Sequence, residues 1–200
     1  MLTGIDVASH QIDLIRRNSS WVKSYYDFVI VKTTEGKHYF NPFADETIKM
    51  CKDGKRLYGL YHFARAEMNS PSAEADHFLS HLGDNPEALL ALDVEADSLK
   101  NPSIDEWSLE WLNKVYYATG KRPLLYISQG ETKRFNKVCA NNYGLWVAHW
   151  GAARVGDITP WKVWAIWQYH VNREQGIDMN LFNGSKEMFR KYCESQWQNG

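Results

Sequence analysis

The sequence predicts an α/β fold in which eight strands close into a barrel. Short apolar or β-branched runs alternate with helical stretches along most of the chain, and this alternation is typical of parallel strands joined by helices. Eight strands are the number that closes a small barrel of this kind. The chain has 200 residues, of which 44% are hydrophobic, and it therefore suits one domain with a sizeable core.

Five strands, each followed by a helix, are predicted in the first two thirds of the chain. The second strand is strongly β-branched, the fourth is a continuous apolar run, and a Ser-Pro pair at positions 70 and 71 predicts a helix start. Ser103 and Glu106 have the spacing of a capping box at the start of another helix. The predicted strands are 2–7, 28–33, 57–63, 89–95 and 123–127, and the predicted helices are 11–17, 44–52, 70–83, 103–120 and one after Ser128.

Three further strands follow at 145–148, 163–169 and 176–181, with no room for full helices between them, and a last helix is predicted at 186–196. The count therefore describes an irregular TIM-like barrel with five β/α units followed by three strands. We expect a parallel sheet and a single domain over residues 1–200.

Composition excludes several classes of protein. The formal net charge is −1 without a basic run, so nucleic acid is not an expected partner, and no apolar stretch approaches the 18 residues of a membrane span. Cys51, Cys139 and Cys193 are too widely spaced for a disulfide framework or a CxxC metal site, which leaves one bridge or three free thiols. No signal peptide is visible, as in a leaderless protein or one whose leader has been removed.

The apolar run at 89–95 ends on two carboxylates, Asp93 and Glu95. Side chains alternate across a strand, so these acids share one face while Leu92 and Val94 share the other. Desolvation and like-charge repulsion should raise at least one pKa, as a general acid requires. In isolation, such a pair fits a turn cap and a solvated glutamate equally well.

Two other stretches repeat this pattern, because the immediate neighbours of Asp6 and of Asp178 are apolar and would point to the opposite face of a strand. Active sites of such barrels lie at the carboxyl ends of the strands, where we expect all four acids to converge. The polar and aromatic residues that fall at the ends of the other strands are Tyr61, Tyr126, Trp150 and Gln168. Carboxylates surrounded by aromatic and amide groups suggest glycoside cleavage.

Metal-assisted hydrolysis is the competing chemistry. His77 and His81 have i, i+4 spacing, but on a mid-chain helix without a matching glutamate, so no metal site is predicted. We interpret His62 and His149 as hydrogen-bonded structural groups. Lys32 and Glu35 are interpreted as a structural pair within the barrel.

The ordered set of motifs resembles glycoside hydrolase family 25, the Chalaropsis-type muramidases, over nearly the whole chain. The matching pieces are Gly4-Ile5-Asp6-Val7, Val29-Ile30-Val31-Lys32-Thr33-Thr34-Glu35-Gly36, Tyr61-His62-Phe63, Leu92-Asp93-Val94-Glu95, Leu145-Trp146-Val147-Ala148, Trp167-Gln168-Tyr169 and Gly176-Ile177-Asp178-Met179-Asn180. One departure is Ala8, because the family commonly has a serine directly after Asp-Val.

The resemblance implies a lysozyme that hydrolyses the β-1,4 bond between N-acetylmuramic acid and N-acetylglucosamine in peptidoglycan, without a cofactor. Glu95 resembles the family's general acid, Asp93 and Asp178 resemble the carboxylates that flank the reacting sugar, and Asp6 resembles the acid of the first strand. Tyr61 corresponds to a residue beside that sugar. The mechanism expected from it is retaining, with the substrate's 2-acetamido group as the internal nucleophile.

Two alternatives remain open at this point. One is a glycosidase that acts on chitin-like N-acetylglucosamine polymers, and the other is a non-catalytic barrel that binds cell-wall glycan. We expect a monomer that acts on the bacterial wall, either outside the cell or as an endolysin released by a phage.

Overall fold

The computed structural model describes residues 1–172 and 176–195, and this part of the chain forms a closed barrel with helices outside it. Its strands are β1 Leu2–Val7, β2 Phe28–Glu35, β3 Tyr39–Phe40, β4 Leu57–Phe63, β5 Leu89–Asp93, β6 Leu124–Ser128, β7 Leu145–Ala148, β8 Ile166–Asn172 and β9 Ile177–Phe182. Its α-helices are α1 Ile12–Arg17, α2 Ala44–Asp53, α3 Pro71–Ser80, α4 Ile104–Thr119, α5 Asn136–Ala140 and α6 Lys186–Cys193. Short 3-10 helices cover Ser9–Gln11, Ala96–Lys100 and Gln129–Arg134, and a π-helical turn covers Trp21–Tyr25.

The barrel order is β1, β2, β4, β5, β6, β7, β8, β9, and pairing of β9 with β1 closes it. The predicted α/β barrel is confirmed, but the wholly parallel sheet is wrong for the last strand. β9 runs antiparallel to both β8 and β1. Its register pairs Asn172 directly with Ile177, and such a short connection permits a hairpin but not a parallel crossover.

Two elements differ from the sequence prediction. The sequence did not predict β3, a two-residue strand that pairs with the end of β2 outside the barrel. The strand predicted at 163–169 begins instead at Ile166, because pairing with β7 starts at Trp146 and Ile166 and leaves Val163 69% exposed. The predicted end of the last helix at Gln196 lies outside the described residues, and α6 ends at Cys193.

The predicted helix starts have different outcomes. Ser70 caps α3 as expected, since its side chain accepts a hydrogen bond from the Ala73 amide. The Ser103 side chain makes no capping hydrogen bond, and its backbone amide donates to Asn101 Oδ1 instead of to the Glu106 side chain that a capping box would use. A short 3-10 helix and the five-residue α5 occupy the region after Ser128.

Alternation along the strands separates two apolar layers. Ile5, Val7, Leu92 and Val94 belong to the layer between the barrel and the helices, as the parity argument predicted. The barrel interior is filled at its amino end by the aromatic side chains of β2, β9 and α6, where the Phe189 ring centroid lies 5.3 Å from that of Phe28 and 5.1 Å from that of Phe182. This aromatic cluster leaves the opposite end of the interior for polar side chains.

The three cysteines Cys51, Cys139 and Cys193 are free thiols. Within residues 1–172 and 176–195, no helix combines the length and the apolar character that a membrane crossing requires.

Candidate active site

A cavity of about 450 Å³ opens at the end of the barrel where the parallel strands have their carboxyl ends, which we call the mouth. It is lined by all eight residues that the sequence predicted for the site: Asp6, Tyr61, Asp93, Glu95, Tyr126, Trp150, Gln168 and Asp178. Asp178 reaches the mouth by a different route from the one expected, because it lies at the amino end of an antiparallel strand. It is the direct register partner of Asp6.

Asp6 is buried and firmly held. Its Oδ2 accepts hydrogen bonds from Gln168 Nε2 at 2.8 Å and from Asn180 Nδ2 at 2.7 Å. Both bonds favour the ionised carboxylate, but burial and the neighbouring charge of Asp178 outweigh them and raise the pKa of Asp6 to about 8. Asp6 therefore retains a proton at neutral pH.

The two amides beside Asp6 have unambiguous orientations. Gln168 Oε1 accepts from the Tyr126 hydroxyl at 2.9 Å and from Trp150 Nε1 at 2.8 Å, so its NH₂ group must face Asp6. Asn180 Oδ1 accepts from Trp146 Nε1 at 2.8 Å in the same manner. Gln168 and Asn180 thus join the aromatic side chains of the mouth to the first carboxylate.

Asp93 and Glu95 occupy different environments although only one residue separates them. Asp93 ends β5 and is buried, and burial together with the charge of Glu95 raises its pKa well above the usual range. Its Oδ1 makes no hydrogen bond to any described residue, which is costly for an ionised oxygen but less so for a neutral carboxyl group. Burial therefore favours the neutral form of Asp93.

Glu95 is half-buried and continues the extended backbone beyond β5. Burial raises its pKa, the charge of Asp178 adds to this, and the Lys32 cation opposes it. Ala96 then adopts a positive φ of 50°, an uncommon conformation for a residue with a Cβ, and the 3-10 helix begins there. The turn leaves Glu95 at the rim, where it is more accessible than Asp93.

Asp178 is also half-buried. Burial raises its pKa, while the nearby His10 lowers it. The mouth therefore contains four carboxyl groups whose pKa values are all raised, and burial is the largest cause for each. Perturbed carboxyl groups that share one concave site indicate acid–base chemistry.

The single lysine that lines the cavity, Lys32, is held in a structural pair as predicted. Its Nζ lies 2.6 Å from Glu35 Oε2 and 4.3 Å from the centroid of the Phe63 ring. Arg65 Nε donates to the other Glu35 oxygen at 2.8 Å. Burial alone would raise the pKa of Glu35, but its two cationic partners outweigh burial and lower it. Lys32 thus keeps a charged partner beside the carboxyl cluster.

The aromatic residues divide by exposure. Tyr61 and Tyr126 are buried, and each packs edge-on against Trp146, with ring centroids 6.1 and 4.8 Å apart. Trp150 is 58% exposed, and the hydrogen bond from its Nε1 to Gln168 fixes the orientation of its indole ring. Trp150 therefore exposes an apolar ring face at the rim of the cavity.

The two histidines interpreted as structural, His62 and His149, both have hydrogen-bond partners. His62 is fully buried between Thr34 Oγ1 at 2.7 Å and Glu74 Oε2 at 2.8 Å, and burial lowers its pKa. His149 Nδ1 accepts from the Gly156 amide at 3.1 Å. These contacts confirm the structural interpretation. Among the residues that the structure describes, no group of three or more His, Cys, Asp or Glu side chains could hold a metal ion.

Sequence reasoning missed several residues of the mouth, among them Asn180, Trp146 and Tyr39. Asn180 is two positions from Asp178 on the same strand, and Trp146 is on the inner face of β7, so strand alternation could have identified both. Tyr39 lines the cavity from β3. No sequence signal identified it, because a hairpin outside the barrel brings it there.

A larger cavity of about 1080 Å³ lies at the amino end of the barrel. Cationic side chains outnumber acidic ones in its lining, which includes Lys52, Lys55, Arg56 and Arg190. This lining does not suit acid catalysis on a glycoside, so size alone does not identify the site.

Comparisons with known proteins agree with this geometry. The model of the family described as glycosyl hydrolases family 25 matches residues 5–176. Lysozyme M1 of Streptomyces globisporus is 29% identical over 203 aligned positions, which cover 91% of this chain and 68% of that protein. The N,O-diacetylmuramidase of Chalaropsis sp. is 27% identical over 212 positions, which cover 94% of this chain and 97% of that protein.

A solved structure gives the same result at the level of the fold. The lysozyme of Streptomyces coelicolor superposes with a TM-score of 0.80 at 25% identity, and the match covers 96% of each chain.

Proposed function

Because the chain belongs to glycosyl hydrolases family 25 and is a glycoside hydrolase, we propose that it is a lysozyme, a 1,4-β-N-acetylmuramidase. The bond cleaved is the β-1,4 linkage between N-acetylmuramic acid and N-acetylglucosamine in bacterial peptidoglycan. One observation carries this proposal: four carboxyl groups with raised pKa values converge on one cavity that has an exposed indole at its rim. Such a site supplies both a proton for the leaving oxygen and a surface for a sugar ring.

Glu95 is the general acid in this proposal. Burial raises its pKa, which favours the protonated form that a general acid needs, and it is less buried than Asp93. A substrate in the cavity can therefore reach it. Glu95 donates its proton to the glycosidic oxygen as the bond to the anomeric carbon breaks.

The nucleophile is the substrate's own 2-acetamido oxygen. Asp93 is a poor nucleophile because its raised pKa favours the protonated form, and in extended backbone its Cα lies roughly 6.5–7 Å from that of Glu95. Asp93 instead orients the acetamido group by hydrogen bonding, and the carboxylate of Asp178 stabilises the positive charge that the group acquires. Water then opens the cyclic intermediate with Glu95 as the base, and configuration is retained.

Asp6 supports this arrangement from beneath, through its register pairing with Asp178 and its bonds to Gln168 and Asn180. Tyr61 lies beside the reacting sugar, and Trp150 stacks on a neighbouring one. Gln168 contributes to substrate binding and also positions Trp150 and Tyr126 through its hydrogen bonds to them. The reaction requires no metal or cofactor.

We also propose that residues 1–200 form one catalytic domain that acts as a monomer. It works on the bacterial cell wall, outside the cell or after release by a phage.

The test is clearing of purified peptidoglycan by the wild type and by Glu95→Gln, followed by mass spectrometry of the soluble fragments. We expect fragments with a reducing N-acetylmuramic acid end and a loss of about 10²–10⁴-fold in rate for the variant. Glu87→Gln, an exposed change at the amino end of the barrel, is the matched control and should leave the rate unchanged.

Other outcomes would change the assignment. Fragments that end in reducing N-acetylglucosamine, or cleavage of chitin in preference to peptidoglycan, would indicate the chitin-like glycosidase. Binding without cleavage by folded protein would indicate the glycan-binding barrel. An inverted anomeric product by NMR would exclude the acetamido-assisted route.

A further inference from the structure

Two residues from different loops meet at one side of the mouth. Ser9 begins the short 3-10 helix after β1, and Tyr39 begins β3. The Tyr39 hydroxyl donates a hydrogen bond to Ser9 Oγ at 2.9 Å, and both residues line the cavity. We call this contact the Tyr39–Ser9 bridge.

The bridge is anchored from outside the barrel. The Tyr39 carbonyl accepts a hydrogen bond from His77 Nε2 of α3 at 2.9 Å, and Phe40 stacks on His81, the residue just beyond that helix, with ring centroids 4.8 Å apart. The β2–β3 pairing holds the same segment from its other side. Although Tyr39 is 39% exposed, its backbone is held at several points, so its side chain forms a fixed wall of the cavity.

The opposite side of the mouth is different. In the eight-strand order, the β1–β2 side lies across the barrel from the β6–β7 side, and Trp150 follows β7. Trp150 presents an exposed indole and forms no bridge across the rim comparable to that of Tyr39 among the described contacts. The cavity is therefore bridged at its β1–β2 side and offers a stacking surface at its β6–β7 side.

We propose that the Tyr39–Ser9 bridge determines substrate specificity by limiting the bulk that a glycan can place at the β1–β2 side of the cavity. Glycan strands whose muramic acid units carry stem peptides are bulkier than bare strands, and the bridge disfavours the peptide-bearing form relative to the bare form. A steric element in a substrate site discriminates by excluding the larger competitor. This inference rests on the proposed muramidase function, and Tyr39 and Ser9 have no part in the chemical step.

The experiment uses two probes from one peptidoglycan preparation: uncross-linked glycan strands that retain their stem peptides, and the same strands after enzymatic removal of the peptides. The kcat/KM for release of reducing ends is measured on both probes for the wild type, Tyr39→Ala, Tyr39→Phe and Ser9→Ala. The quantity compared is the ratio of the peptide-bearing value to the bare value. A defect in the chemical step affects both probes and cancels in this ratio.

Tyr39→Ala removes the wall and should raise the ratio by about tenfold, the order of discrimination that a steric pocket provides. Tyr39→Phe and Ser9→Ala keep most of the side-chain volume but lose the hydrogen bond, and each should raise the ratio by about two- to fivefold. The double variant Tyr39→Phe/Ser9→Ala should match either single change, because both remove the same bond. Tyr117→Ala, an exposed tyrosine of α4, is the matched control and should leave the ratio unchanged.

An unchanged ratio in Tyr39→Ala would overturn the inference while leaving the muramidase function in place. Independent, multiplicative effects of Tyr39→Phe and Ser9→Ala would overturn the role of their hydrogen bond. Failure of folded wild-type protein to cleave either probe would instead overturn the proposed function, and this inference with it.

Discussion

The two ends of the barrel interior are built from the same strands but have opposite chemistry. β1 contributes Leu2 to the amino end and Asp6 to the mouth, and β5 contributes Leu89 to the amino end and Asp93 to the mouth. The amino end is filled by aliphatic and aromatic side chains, whereas the mouth contains buried carboxyl groups and the amides that bind them. Along each of these strands, the apolar residue at the amino end and the acid at the mouth are only four positions apart in the sequence.

This difference shows where the fold gains stability and where it loses stability. Burial of rings at the amino end is favourable in proportion to the apolar area removed from water. Burial of Asp6 and Asp93 at the mouth is unfavourable whenever they ionise, because both have raised pKa values. The apolar end therefore offsets the cost of a site that is tuned for proton transfer.

The largest effect is expected from a substitution that disrupts the packing of the apolar end. Phe189→Ala leaves a cavity against Phe28 and Phe182 and should reduce the free energy of unfolding by about 3 to 5 kcal/mol. The kcat of the folded fraction should not change, because the ring is at the far end of the barrel. Urea denaturation and a steady-state assay on the same preparation measure the two quantities.

Met188→Ala is the control for that change, since this neighbouring side chain of α6 is largely exposed and should cost less than about 0.5 kcal/mol. Glu95→Gln should behave in the reverse way, with lost activity and retained stability. A loss of kcat in folded Phe189→Ala would show that the two ends are coupled.

The second prediction concerns Asp6 and the dependence of stability on pH. Its pKa of about 8 in the folded protein exceeds that of an ordinary unfolded aspartate, so the stability that its protonated form contributes is fully present below about pH 4 and is lost as pH rises to about 8. Asp6→Asn remains neutral and avoids this loss. Its Tm should exceed that of the wild type by about 5 to 10 °C at pH 9, and by less than about 2 °C at pH 4.

Asp27→Asn, at the amino end, is a control for which the change in Tm at high pH should have the opposite sign. Burial raises the pKa of Asp27, but hydrogen bonds from Thr3 and the cation of Lys186 outweigh burial and lower it. Asp27 therefore contributes stability above its unfolded pKa, and that stability is lost as pH falls. Calorimetric scans from pH 3 to 9 should show that, as pH rises, the Tm of Asp6→Asn exceeds that of the wild type and the Tm of Asp27→Asn falls below it. Differences from the wild type of the same sign would contradict the raised pKa of Asp6.

The smallest effect comes from Lys32, whose cation opposes the raised pKa values of Asp93 and Glu95. Lys32→Met should raise the pKa of Glu95 further. Because the general acid must be protonated, the basic limb of the kcat/KM profile should move to higher pH. Lys32→Arg keeps the charge and should leave that limb closer to its wild-type position, whereas equal shifts in both variants would rule out an electrostatic origin.

Much of the site could be predicted because it depends on local periodicity. Alternation along β5 and β1 determines which side chains enter the barrel, so Asp6 and Asp93 could be identified from their apolar neighbours. Asn180 satisfied the same rule relative to Asp178 and was overlooked. The antiparallel direction of β9 was also readable in principle, since its connection to β8 is too short for a crossover.

Other features had no local signal. Tyr39 enters the mouth from a two-residue strand that pairs with the nearby end of β2. That strand is also held by His77 of α3 and by His81 just beyond it, which are about 40 residues away in the chain. Likewise, β8 starts at Ile166 only because its pairing with β7 begins there, opposite Trp146. Both depend on which segments become neighbours after the barrel closes.

The sequence by itself determined the eight strands of the barrel, their inward and outward faces and the four acids of the mouth, because a period of two residues is a property of the local backbone. Only the tertiary structure decided which of these acids are neighbours, how deeply each is buried and therefore how far each pKa is raised. Desolvation and charge–charge interactions depend on distances between strands that are remote in sequence, as between Asp6 and Asp178, and those distances exist only when β9 closes the barrel against β1.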